Sequence, residues 1–170
     1  MAPFLPASCT AGSDVKDALD TIWPAPPFSV SKGNAMSGTE TLKIAQAFLQ
    51  AIGSGAEPDT VLAMFAEDVA FEIPGDADAF PWVGRFKGRA AVGRLLDGLQ
   101  RLLIPEQFDV QDIVTGEVRA VILGKLGSRV IATGKLISSP FAIVLTVTAG
   151  TISGFLMLED SFAVSAAAKS

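Results

Sequence analysis

The chain has 170 residues, of which 49% are apolar and 18% are charged, and its formal net charge is −5. This length fits one domain with a sizeable core, and the acidic balance disfavours a nucleic-acid backbone as a partner. A single cysteine, Cys9, excludes an internal disulfide. No apolar run reaches the roughly 20 residues of a membrane-spanning helix, and the N-terminus lacks the pattern of a secretory signal. We therefore expect a cytoplasmic protein without a membrane or nucleic-acid partner.

The sequence contains no histidine and no tyrosine. Histidine is the commonest general acid-base residue, and the tyrosine phenol is a frequent hydrogen-bond donor to an oxyanion. Ser-His-Asp and Cys-His catalysis are thereby excluded, as are histidine-based zinc sites. Any catalysis must use carboxylates, Lys, Arg, Ser, Thr, backbone amides or water.

Residues 1–35 differ in composition from the remainder of the chain, because they hold five of its ten prolines and show no lasting period. We expect a flexible extension there, followed by one domain over residues 36–170. Met36 is followed by a possible capping box, in which Ser37 and Glu40 would begin a helix. A true start of the protein at Met36 is therefore the alternative to a functional extension.

The first part of the domain has the spacing of helices followed by a strand. Apolar residues at three- and four-residue steps predict a helix over 39–52, and Pro58 suits the first turn of a short second helix. Alternation then predicts a strand at Asp68–Ile73. A polar loop carries Asp76, Asp78 and Trp82, and GRFKGR leads into the next helix.

The second half is mostly strand. A third helix is predicted at Arg89–Ile104, ended by Pro105, and a C-terminal helix at Ser161–Ala168, capped by Asp160 or Ser161. Between them turn signals separate five predicted strands: Phe108–Thr115, Val118–Leu126, Arg129–Ser138, Phe141–Thr148 and Thr151–Glu159. The order predicts an α+β domain, with helices packed on one face of a curved sheet.

A series of short motifs follows in a fixed order along the domain: IPGD, PWVG, KGRAAV, IATGK, PFAIVLTV, AGTI and LEDSFAV. Through the order of these motifs, the residues from about Ser37 to Ala167 resemble the SnoaL-like branch of the NTF2-like superfamily. It implies a cone-shaped, cystatin-like α+β fold in which a curved antiparallel sheet packs against three helices. The superfamily includes ketosteroid isomerases, limonene epoxide hydrolases, scytalone dehydratases and polyketide cyclases, so the fold implies no single reaction.

The catalytic residues of the best-known relatives are missing from this chain. The positions matching the ketosteroid isomerase tyrosine and acids are Phe48, Ile73, and Ala142 or Ile143. The positions matching the Arg-x-Asp pair and the last-strand aspartate of limonene epoxide hydrolases are Gly124, Leu126 and Met157. Because each is apolar or glycine, neither catalytic apparatus is expected here.

The parity of the strands, taken with the resemblance, predicts which side chains face the interior of the cone. We expect an apolar pocket for a hydrophobic ring compound, although the same side chains would also serve as ordinary core. The expected lining residues are Phe48, Phe71, Ile73, Trp82, Leu126, Phe155 and Met157.

Two carboxylates are candidates for proton transfer at this pocket. Glu159 shares parity with Phe155 and Met157, and burial beside apolar groups would raise its pKa towards neutrality. Asp76 follows the end of the first strand, although Pro-Gly-Asp is also ordinary turn chemistry. Arg129 and Lys135 could pair with Glu159 or Asp160 across the sheet.

Two functions remain open from the sequence. The first is an enzyme acting on an apolar small molecule by isomerisation, cyclisation, dehydration or hydrolysis, without a metal or other cofactor. The second is a non-catalytic module that binds an apolar ligand or a protein partner. In either case we expect a homodimer through the outer sheet face, where Ala142, Val144, Thr146 and Thr148 alternate.

Overall fold

The computed structural model of the protein describes residues 38–169. The predicted extension over residues 1–35 and the serine of the predicted capping box lie outside this range. None of the helices described there is long and apolar enough to cross a membrane.

Four helices and six strands make up the described part of the chain. The helices are α1 (Gly38–Gly53), α2 (Pro58–Ala63), α3 (Arg89–Leu102) and α4 (Ser161–Ala168). The strands are β1 (Phe65–Ile73), β2 (Gly84–Lys87), β3 (Leu103–Thr115), β4 (Arg119–Val130), β5 (Leu136–Thr148) and β6 (Thr151–Glu159). They form one sheet in the order β2-β1-β6-β5-β4-β3. The α+β prediction is therefore confirmed.

The ends of the helices follow the local sequence. Pro58 occupies the first turn of α2, where its missing N–H costs no helical hydrogen bond. Asp160 caps α4, because its Oδ1 accepts hydrogen bonds from the backbone N–H groups of Phe162 and Ala163 at 3.1 and 3.0 Å. The predicted cap is thereby confirmed, and it orients α4 directly after the last residue of β6.

The predicted boundaries were wrong between α3 and β5. The helix ends at Leu102, and Pro105 lies inside β3 rather than before it. Proline is tolerated there because β3 is an edge strand with an irregularity between Pro105 and Gln107. Pro140 lies within β5 at a point beyond the end of β6, where β5 is itself locally an edge.

The strands on either side of the turn predicted at Gly127-Ser128 were also misplaced. Gly127-Ser128, predicted to be a turn, pairs with Ser138 and Ile137 inside β4. The actual turn covers residues 131–135, with Gly134 at a φ of 70°. Five predicted strands are therefore four longer ones.

The sheet is mixed, since β1 pairs in parallel with β6 while every other pair is antiparallel. Strand β2 was not predicted from the sequence, because its four residues were interpreted as a segment leading into the next helix. Phe86 of β2 pairs with Phe71, and Arg85 pairs with Glu72 on the outer face. This hairpin positions the intervening loop, which contains Trp82, against α3.

Candidate functional site

A cavity of about 630 Å³ lies between the inner face of the sheet and the helices. All four helices contribute to its wall, which runs from the α1–α2 turn to Val164 of α4. Most of the surface is hydrocarbon, supplied by residues such as Phe48, Leu95, Ile143 and Phe155. The size and lining are typical of sites for small, largely apolar molecules.

Glu159 is the only ionisable side chain that lines this cavity within residues 38–169. It ends β6, where it pairs with Phe141 of β5. Burial among apolar groups raises the pKa of this carboxyl from 4.5 to about 7. Glu159 also borders a shallow groove on the outer surface, formed with Pro140, Ala142 and Leu158.

The two cations predicted to pair with Glu159 or Asp160 have other partners. Arg129 Nε lies 2.7 Å from Glu106 Oε1 in an ion pair. Lys135 Nζ donates to the backbone carbonyl of Lys169 at 2.6 Å. No ion pair involves Glu159 among the described residues, so nothing there offsets the cost of ionising it in its apolar surroundings.

Trp82 forms a rigid part of the cavity wall. Its side chain is 3% exposed, and its ring stacks on Phe80 with centroids 4.7 Å apart and an interplanar angle of 5°. The benzo edge fits against α3 at Gly98, where a methyl group would overlap with Cε3 and Cζ3 of the indole. Gly98 therefore allows the loop and α3 to close on each other.

The sequence of the domain matches the model of a known protein family. The SnoaL-like domain model matches residues 45–155, which is more than half of the chain. This chain belongs to the SnoaL-like domain family. No curated protein matches it.

Solved structures agree with that assignment at the level of the fold. An NTF2-like protein from Burkholderia xenovorans LB400 is 25% identical, with a TM-score of 0.70 over 79% of this chain and 99% of its own. An NTF2-like protein from Burkholderia thailandensis E264 is 19% identical, with a TM-score of 0.66 over 75% and 96%. A protein from Xanthomonas campestris assigned as a polyketide cyclase is 20% identical, with a TM-score of 0.60 over 77% and 98%.

The cavity of this SnoaL-like domain brings together most of the predicted site residues. Its lining includes Glu159 and five of the predicted apolar residues, namely Phe48, Trp82, Leu126, Phe155 and Met157. Phe71 and Ile73 do not line it, although both are buried. The ring of Phe71 stacks on Phe155 at 5.1 Å and so supports the cavity wall from behind.

Asp76 lies outside the cavity lining, so the structure does not support its predicted role in proton transfer. Its Oδ2 accepts hydrogen bonds from Ser165 Oγ at 2.6 Å and Lys169 Nζ at 2.8 Å. The Lys169 ammonium, the Ser165 hydroxyl and the backbone N–H of Asp78 lower the pKa of Asp76 to about 2. A carboxyl this acidic is a weak base at neutral pH, and its contacts fix α4 to the loop instead.

Several lining residues of the SnoaL-like domain were not predicted from the sequence. Phe108 is 44% exposed at the rim and stacks on Phe141, with ring centroids 4.8 Å apart. Gly124 permits this stack, because a side chain there would overlap with the Phe141 ring. The sequence signal was a glycine inside a strand, which often marks a close approach. Leu99 of α3, Leu103 at the start of β3 and Val164 of α4 also line the cavity. The sequence did not assign them to a pocket, because that depends on how the helices pack on the sheet.

Proposed function

We propose that the cavity binds a largely apolar small molecule and that Glu159 exchanges a proton with it. The observation that carries this proposal is a lone carboxyl, with its pKa near neutrality, in an apolar wall. The reaction class would be proton-transfer chemistry of the kind used in isomerisation or cyclisation. The assignment of the Xanthomonas campestris relative as a polyketide cyclase is compatible with this proposal, but the chemistry rests on Glu159.

A carboxyl with a pKa of about 7 suits a general base or acid at neutral pH. Both its forms are then populated, so it can remove a proton from one atom of a substrate and return it to another. Leu126 and Met157 would hold the substrate by apolar contact.

Base-catalysed ring opening of 5-nitrobenzisoxazole tests the accessibility of this base to an apolar compound. The base removes the ring C–H proton, the electron pair forms the nitrile, and the N–O bond breaks to give a coloured phenolate. Because the ionised form acts as the base, we expect the rate to rise with pH through about 7. We expect Glu159→Gln to lower kcat/KM by roughly 100-fold or more.

Glu72→Gln is the matched control for this assay. Glu72 lies on the outer face, where it pairs with Arg85 at 2.8 Å and does not line the cavity. Its replacement should leave the rate unchanged. Equal rates in the wild type and the Glu159→Gln variant would contradict proton transfer by Glu159.

A binding module without chemistry is the second candidate. It is favoured by the hydrocarbon side chains of Phe48, Leu126 and Met157 in the cavity wall, at positions that the resemblance matches to catalytic residues of relatives. This function predicts that the neutral dye N-phenyl-1-naphthylamine binds in the cavity while 5-nitrobenzisoxazole is not accelerated. Dye binding together with a rate that depends on Glu159 would contradict it.

We also propose that the protein is a homodimer through the outer sheet face. Two cross-strand rows there are apolar: Val121, Val144 and Leu156, and Leu123, Ala142 and Leu158. Leu123 and Leu158 are 36% and 45% exposed, which is costly in water for neighbouring side chains. Leu156 and Leu158 extend the patch predicted from Ala142, Val144, Thr146 and Thr148.

Light scattering at micromolar concentration tests this interface. We expect a mass twice that of the 17.6 kDa chain, and the monomer mass for Leu158→Lys. Phe162→Lys is the control, because Phe162 is 83% exposed on α4, the helix that lines the cavity through Val164. A monomeric wild type would contradict the proposal.

A further inference from the structure

The Trp82 indole N–H donates to no acceptor among residues 38–169, although the residue is only 3% exposed. A buried indole N–H normally has a hydrogen-bond partner, because leaving this donor unpaired costs free energy. Every fully buried side-chain nitrogen or oxygen in the described residues does have a partner. The indole nitrogen therefore keeps contact with open space.

The orientation of the ring shows on which side of the indole the donor lies. Cε3 and Cζ3 of Trp82 face Gly98 of α3. In an indole the N–H lies on the opposite edge of the ring from these two carbons, so the donor is turned away from α3. One face of the ring is covered by Phe80, and the residue lines the cavity.

The other polar side chains of the cavity wall do not offer an equivalent fixed donor. Gln107 Nε2 donates to Asp109 Oδ2 at 2.6 Å, and both Gln100 and Gln107 are exposed at the rim. Glu159, once ionised, can only accept hydrogen bonds. Ser128 is half-buried on β4 and its hydroxyl can rotate, whereas the Trp82 ring is held by Phe80 and Gly98.

We infer that the Trp82 indole N–H donates a hydrogen bond to an oxygen atom of the ligand, so that the cavity selects ring compounds with a carbonyl or similar acceptor over the parent hydrocarbons. This inference rests on the proposed function, because it requires a ligand in the cavity. It adds the substrate class: a largely apolar ring system carrying at least one acceptor oxygen. The preference comes from pairing a donor that a hydrocarbon would leave unsatisfied.

Two matched probes, 1-tetralone and tetralin, test the inference, since they share a ring skeleton and differ at the carbonyl. The chain has two tryptophans, so a Trp23→Phe background leaves Trp82 as the only indole resonance in a ¹⁵N-labelled sample. The Met157 methyl resonance reports occupancy of the cavity. We expect 1-tetralone to shift the indole ¹H downfield and to bind roughly 3- to 10-fold more tightly than tetralin.

The outcomes separate this inference from the proposed function. If both probes shift the Met157 methyl resonance but the indole ¹H shift is the same with 1-tetralone as with tetralin, the cavity binds apolar rings and the Trp82 inference is overturned. If neither probe shifts the Met157 methyl, the apolar-ligand proposal fails and this inference falls with it. Trp82→Phe keeps a ring but removes the donor, so we expect it to abolish the preference for 1-tetralone. A preference that survives in Trp82→Phe would also overturn the inference.

Discussion

Replacing Gly98 by alanine is expected to destabilise the protein by about 2 kcal/mol, although alanine is the better helix former. In an exposed helix this change would stabilise by about 1 kcal/mol. At Gly98 the added methyl would overlap with the Trp82 ring, which is buried and stacked on Phe80 and so cannot move aside freely. Overpacking of this kind typically costs about 1–3 kcal/mol. Urea denaturation gives the free energy of unfolding directly.

Gly93→Ala is the matched control, because Gly93 lies in the same helix with nothing within 4 Å of the added methyl. We expect this variant to be as stable as the wild type or more stable, by up to about 1 kcal/mol. A Gly98→Ala variant that gains stability like Gly93→Ala would contradict the close fit of Trp82 against α3. It would also remove the basis for the orientation of the indole N–H.

Replacing Glu159 by glutamine is expected to stabilise the protein at pH 8 and to have little effect near pH 4. Burial raises the pKa of Glu159 from 4.5 to about 7, so the native state binds this proton more tightly than the unfolded state. The stability associated with the group is fully present below about pH 4.5 and is lost as the pH rises through about 7. The complete loss is on the order of 3 kcal/mol. Glutamine has nearly the same shape and never ionises, so the variant avoids this loss.

The measurement is the difference in unfolding free energy between the wild type and Glu159→Gln across pH 4 to 8.5. Other groups titrate in both proteins, and their contributions cancel in the difference. Glu72→Gln should differ from the wild type by less than about 1 kcal/mol throughout, since its ion pair with Arg85 is exposed on the arginine side. A Glu159→Gln difference that is constant with pH would contradict the burial of an ionisable carboxyl.

The helices could be predicted because their causes are local. Spacing of apolar residues set α1, Pro58 set the start of α2, and the Asp160 carboxylate set the start of α4. Boundaries failed where sheet pairing overrode a local signal. Pro105 was expected to end a helix, but an edge strand tolerates proline, and no local feature shows that β3 lies at an edge.

The candidate site was predictable to the extent that strand parity determines it. Alternation along β6 placed Phe155, Met157 and Glu159 on one face, and all three line the cavity. Strand alternation did not distinguish side chains that line the cavity from those packed behind its wall. Phe71 was predicted to line the cavity but is packed behind the wall. The surroundings of Asp76 depend on Ser165 and Lys169, about 90 residues further along the chain, so proximity to the end of β1 was misleading.

The Glu159 carboxyl is expected to titrate near neutral pH inside an apolar cavity. The most direct test is a ¹³C NMR titration of the glutamate side-chain carboxyls, with the Glu159 resonance assigned by its absence from Glu159→Gln. The structure predicts a pKa of about 7 for this resonance. A value near 4.5, the ordinary value for a glutamate, would show that Glu159 is solvated and would contradict both its burial and its proposed role as a base.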